Sequence, residues 1–168
     1  MNVIIRPNGR TARLDWGAGP RPAAIGRGGI GIKAREGDGV TPLGSFPVRR
    51  LLWRADRLAA PRTRLAMAPI LADDGWCDAP ADPAYNTQVK LPHPASHEAL
   101  LRADGIYDVV VVLGFNDDPV VAGRGSAIFL HVAREDHGPT EGCIALALTD
   151  LLELVERLGP GDILTVTL

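Results

Sequence analysis

The chain has 168 residues, 46% of them hydrophobic, with 18 basic and 20 acidic side chains and a formal net charge of -2. That length can bury one substantial core, while the scattered and balanced charge leaves no polybasic stripe for nucleic acid or an anionic membrane surface. With only Cys77 and Cys143, a disulfide-dense scaffold is excluded.

The first ten residues are broken by Arg6 and Pro7, so no signal-peptide core is visible, and no apolar run approaches the ~20 residues of a membrane-crossing helix. Short β-rich runs bounded by Gly, Pro, Asn or Asp are predicted at 3–5, 12–16, 45–52, 108–115, 127–132 and 163–168. The run 108–115 is apolar without alternation and reads as a strand buried on both faces. Pro47 places the strand around it at a sheet edge. The glycine-rich stretch 28–46 has the spacing of no nucleotide-binding motif and reads as a hairpin and turn. Residues 71–93, rich in Pro, Asp and Gly, read as a long irregular excursion.

Two helices are predicted. One spans 96–103 with Ser96 as its N-cap, and the other spans 149–158 with Thr149 as its N-cap and Asp150 in the first turn. In the second, Leu151, Leu154, Val155 and Leu158 make one buried face, and Gly159-Pro160-Gly161 stops it. The domain is therefore mainly β, with one or two short helices, and residues 1–168 form a single unit.

The chemistry concentrates in two segments, Ile128-Phe129-Leu130-His131 and Thr140-Glu141-Gly142-Cys143-Ile144-Ala145-Leu146. A cysteine beside a glycine, with a histidine at a strand end, offers a nucleophile, a base and a pliable backbone around the sulfur. A metal hydrolase built from His131, His137, Cys143 and Glu141 is the rival, but their spacing fits no standard zinc pattern, and no metal is expected. Cys77, between Trp76 and Asp78, reads as a packed thiol, and His93, His97 and His137 lie in polar loops.

Thr41-Pro42-Leu43-Gly44-Ser45-Phe46, the strand into His131 and Gly142-Cys143-Ile144, in that order, resemble the L,D-transpeptidase catalytic domain family over about residues 28–168. Gly75 to Asp78, Tyr85-Asn86, Ser96 to Glu98 and Tyr107 to Val111 resemble its stand-alone subgroup. The resemblance implies a β-sandwich or barrel-like fold and a cysteine acyltransferase that needs no cofactor and acts as a monomer on peptidoglycan stem peptides. In it Cys143 attacks a diaminopimelate carbonyl and expels D-alanine. His131 is the base, oriented by a backbone carbonyl near Val132 or Ala133, and the amides of Gly142, Cys143 and Glu141 form the oxyanion hole. Glu141, Thr140, Arg124, Asn116, His97 and Tyr85 are the substrate-binding candidates.

Two departures touch that pocket. Thr140-Glu141 stands where the family has Ser-His, and Ala145 where it has arginine, so Arg124, His137 or Arg134 must take the substrate carboxylate. Glu141, two residues before the sulfur, either raises the thiol pKa or binds an ammonium. An L,D-carboxypeptidase, in which water resolves the thioester, and a non-catalytic wall-binding module remain as alternatives. The family works in the cell envelope, whereas the chain shows no export signal, which leaves a cytoplasmic substrate open.

Overall fold

Alternation sets the first hairpin of the computed structural model, which describes residues 1–168. β1 (Asn2–Asn8) buries Val3 and Ile5, turns at Gly9, and returns as β2 (Thr11–Asp15), which buries Ala12 and Leu14. The meander continues through β3 (Arg21–Ala24), with β4 (Ile30–Gly31) and β5 (Thr41–Pro42) as a small parallel pair beside it. The ten-residue β6 (Gly44–Trp53) carries β7 (Met67–Pro69) along part of its length. Next come β8 (Asp74–Cys77), β9 (Gln88–Lys90) and β10 (His97–Ala99), a separate three-stranded sheet ordered β10-β8-β9. The chain then forms β11 (Val109–Leu113), β12 (Phe129–Val132), β13 (Ile144–Leu146), α1 (Leu148–Arg157) and β14 (Ile163–Val166).

The large sheet runs β11-β12-β13-β3-β2-β1-β14-β6-β7, and β6 also pairs with β11, so every strand except β7 belongs to a closed ring. Closure leaves no exposed edge within the ring. Leu151, Leu154 and Val155 of α1 join its inner core.

All of β11 is buried, and the two sides of that strand face different cores. Val109, Val111 and Leu113 enter the inner core, while Val110 and Val112 pack outward with Trp76, Leu100, Tyr107, Phe129 and Cys143. The excursion thus covers the outside of β11 and β12, which is why the run 108–115 lacks alternation. Each such side chain contributes about 2 kcal/mol on burial, enough to hold an irregular segment against the ring.

Several expectations are corrected. Residues 96–103 form no helix: His97, Glu98 and Ala99 pair with Cys77, Trp76 and Gly75, and that ladder outweighs the weak intrinsic tendency of so short a helix. The excursion 71–93 is not structureless, because it contains β8 and β9. β6 lies between β14 and β11 rather than at an edge, with Pro47 where its partner changes from Ile163 to Leu113. α1 begins at Leu148 after Ala147, which makes no side-chain cap, so Thr149 sits inside the first turn. The strand predicted from 127 starts at Phe129, because Ala127 has φ +52.

Candidate active site

Strand parity brings the sulfur and the imidazole to one face. β12 and β13 run parallel with His131 opposite Ala145, and Leu130 and Ile144 point into the inner core. Their neighbours Phe129, His131, Cys143 and Ala145 therefore face outward, toward the excursion. His131 and Cys143 line the same cleft, together with Ala145. The Nδ1–H of His131 donates to the Val132 carbonyl at 2.9 Å, which leaves Nε2 as the basic nitrogen. The Tyr107 ring packs edge-on against the imidazole at 5.3 Å and fixes its plane.

The Cys143 thiol donates to the Ala127 carbonyl at 3.1 Å, and its sulfur accepts the Phe129 amide at 3.4 Å. Burial pushes this thiol up to about 12, the Glu98 carboxylate pushes the same way, and the Phe129 amide and Lys33 oppose them. Burial also pushes His131 down to about 4, against the Val132 hydrogen bond. At neutral pH the resting groups in this cleft are therefore a thiol and a neutral imidazole.

The loop around Cys143 is pinned from both sides. Gly142 has φ +132, and a Cβ there would lie 2.9 Å from the Val40 carbonyl oxygen, so only glycine fits. Buried Thr41 donates its hydroxyl to the Gly142 carbonyl at 2.9 Å and accepts the Gly26 amide at 2.8 Å. Thr140 Oγ1 donates to the Cys143 carbonyl at 2.6 Å and accepts the Gly142 amide at 3.1 Å. The Gly142 amide is thus engaged by Thr140, whereas the amides of Glu141 and Cys143 donate to no protein acceptor.

Two clefts meet at the sulfur. One holds His131, Arg102, Arg134 and Thr140; the other holds Lys33, Glu36, Asp78, Ser126 and Ala127; Glu98, Tyr107, Glu141 and Cys143 border both. Of the candidates for the carboxylate-binding role, Arg134 lines the His131 cleft, whereas Arg124 and His137 do not. Glu141 is exposed and paired with Arg27 at 2.8 Å, and the carboxylate that acts on the sulfur is Glu98.

The remaining sequence candidates lie elsewhere. Asn116 bonds within its own loop, to Val121 and Gly125. Tyr85 is buried, donating to Glu36 at 2.5 Å and accepting the Gly125 amide at 2.9 Å. His97 bonds the Ala95 carbonyl and borders neither cleft, while its neighbour Glu98 does. Lys33 was missed, whereas Glu98 and Asn86 lie in segments that the resemblance had singled out. Lys33, with a 3% exposed side chain, bonds Asp38 at 2.6 Å and would lie 3.4 Å from a Gly142 Cβ. Glu98 accepts the Tyr107 hydroxyl at 3.1 Å. Asn86, whose sequence signal was the Tyr85-Asn86 pair, holds Ala127 beneath the sulfur.

Glu98 gives a pH-dependent expectation. Burial raises its carboxyl from an ordinary 4.5 to about 7 against the Tyr107 hydrogen bond, so in that interval the native chain binds more protons than the unfolded one and stability falls as pH rises. His131, lowered from 6.5 to about 4, does the reverse, and the two slopes offset each other where they overlap. In Glu98→Gln only the His131 slope remains, so unfolding free energy from urea titrations should climb by about 3 kcal/mol between its two values while the wild type stays flatter. Parallel curves for the two proteins would refute this assignment.

Comparison with known proteins gives the family of the chain. The family model described as the YkuD L,D-transpeptidase catalytic domain matches residues 3–167. A search of curated proteins found no match. Among solved structures, L,D-transpeptidase 1 of Mycobacterium tuberculosis is 15% identical with a TM-score of 0.43 over 98% of this chain and 59% of that one. An L,D-transpeptidase from Mycobacterium smegmatis is 13% identical with a TM-score of 0.49 over 99% of this chain and 58% of that one. The chain thus spans under two thirds of either protein.

Proposed function

This chain belongs to the L,D-transpeptidase catalytic domain family, and from that premise we propose that residues 1–168 act as one cysteine acyltransferase domain on peptidoglycan stem peptides in the cell envelope. The observation that carries the reading is the placement of Cys143 and His131 in one cleft, with Nε2 left free by the Val132 hydrogen bond. Cys143 Sγ attacks the diaminopimelate carbonyl as Nε2 takes its proton. The oxyanion is met by the amides of Cys143 and Glu141. When the intermediate collapses, the C–N bond breaks, the imidazolium protonates the departing amine and D-alanine leaves a thioester on Cys143. An amine of a second stem then attacks, giving its proton to Nε2, and the new amide forms as the sulfur departs.

Charge in the two clefts supports this orientation. Arg134, on the His131 side, suits the carboxylate of departing D-alanine, while Glu36 and Asp78 across the sulfur suit the ammonium of the diaminopimelate side chain. The test incubates the protein with a tetrapeptide-stem muropeptide, with and without a second stem, and follows products by mass spectrometry with Cys143→Ala as the blank. The expected result is a cross-linked dimer with released D-alanine. Tripeptide alone identifies a carboxypeptidase, and the absence of any product dependent on Cys143 rejects the stem-peptide reading. No helix is long and apolar enough to cross a membrane.

A further inference from the structure

The far end of β8 carries a donor cluster that the transfer reaction does not use. Cys77 Sγ, a carboxylate oxygen of Asp82 and a ring nitrogen of His93 all lie within 4.8 Å of one another. Cys77 is fully buried and free, and it lines neither catalytic cleft. His93 Nε2 stands 3.5 Å from Asp82 Oδ2, and this buried atom makes no hydrogen bond. A plain His–Asp pair would close that contact, and an orphaned buried nitrogen is costly to leave unmet.

The surrounding charge points the same way. Neither Asp78 nor Asp82 forms an ion pair with a lysine or arginine, and Asp78 Oδ1 is buried without a partner. A cation would satisfy the Asp82 carboxylate and the orphaned His93 nitrogen together. The donors are also pre-set. The Ala84 amide holds Asp82 Oδ1 at 2.7 Å and leaves Oδ2 facing His93, and the His97 ring packs edge-on against His93 at 6.1 Å.

We propose that Cys77, Asp82 and His93 bind one zinc-class divalent ion, with solvent as the fourth ligand. Sulfur, imidazole nitrogen and carboxylate together suit zinc better than magnesium or calcium, which prefer oxygen alone. Solvent reaches the cluster, where the Asp82 and His93 side chains are 19% and 16% exposed. On binding, the Cys77 S–H bond breaks, its proton leaves to solvent, and the sulfur donates its pair to the metal. The ion clamps the loops carrying Asp82 and His93 to β8, and so fixes the excursion that supplies Trp76, Asp78 and Glu98 to the catalytic side.

The test uses chelator-stripped protein carrying Cys143→Ala, which removes the only other thiol, titrated with Co2+. A one-to-one endpoint is expected, with a thiolate-to-cobalt charge-transfer band, tetrahedral d–d bands, about one proton released per metal, and displacement by Zn2+. Cys77→Ser and His93→Ala in that background should each abolish the charge-transfer band or the endpoint. A titration with no charge-transfer band, or a band that survives Cys77→Ser, overturns the site. Should the variants not fold, the unsubstituted chain decides: its melting temperature rises with Zn2+ and is restored by chelator if the site exists, and is unmoved if it does not.

Discussion

His131→Gln is expected to lower kcat by about 10^3-fold at neutral pH while changing KM little, the pattern of a group that acts only as the bond is made. The size is that of a lost general base, and the resting sulfur explains why one is needed. With the thiol pushed up to about 12, only about 10^-5 of it is ionised at pH 7. Wild-type attack escapes that limit because Nε2 accepts the proton during attack. A glutamine amide cannot, so the variant must wait for preformed thiolate, and its residual rate should climb about tenfold per pH unit through the alkaline range. The wild type should show no such climb. Its acid limb in kcat/KM should fall near 4, where His131 becomes protonated, rather than near the ordinary imidazole value of 6.5. D-alanine release measured across the pH range checks both limbs. A variant within about tenfold of the wild type at pH 7 removes His131 from the mechanism.

What the residues disclosed in advance tracks the range over which each signal acts. Cys143, His131, the buried face of α1 and the doubly buried β11 are carried by local pattern, with spacings of one, two or four residues that no distant partner alters. The excursion was opaque for the opposite reason. β8, β9 and β10 are only three or four residues long, and their pairing is chosen by Trp76 and Leu100 packing on the outside of β11. Local propensity therefore favoured a helix at 96–103, and tertiary packing overrode it.

That misreading left His97 and Glu98 undivided as pocket residues. On a helix, His97 and Glu98 could both be offered to a pocket; on β10 they face opposite ways, and the register Glu98↔Trp76 turns the carboxylate toward the cleft. Lys33 was equally hidden. It sits in an exposed-looking glycine-rich stretch, and only the fold of residues 28–46 against Gly142 buries its ammonium beside Asp38. Motifs thus pointed to Cys143 and His131, while the charges around them come from segments whose position depends on long-range pairing.

Asn86→Ala is the second large effect. Every hydrogen-bonding position of this buried amide is filled: Oδ1 accepts Trp76 Nε1 at 3.1 Å and the Ala127 amide at 3.0 Å, and Nδ2 donates to the Phe115 and Asn116 carbonyls at 2.9 and 2.8 Å. Truncation strands those groups, so a loss of about 3 kcal/mol is expected, seen as a fall of about 10 °C in Tm. Activity should fall further than stability requires. Ala127 is held at φ +52, a conformation unfavourable for alanine, and its carbonyl is the acceptor for the Cys143 thiol. Freed from Asn86, Ala127 relaxes toward extended backbone and releases the sulfur, which should lower kcat about tenfold or more at little cost in KM. The control is Leu100→Ala, similarly destabilising in the same outer core but without a bond to Ala127. It should leave kcat within about twofold, measured well below either melting temperature. Equal losses of kcat in both variants would reduce Asn86 to a purely structural residue, whereas a loss confined to Asn86→Ala shows that the amide sets the sulfur through Ala127.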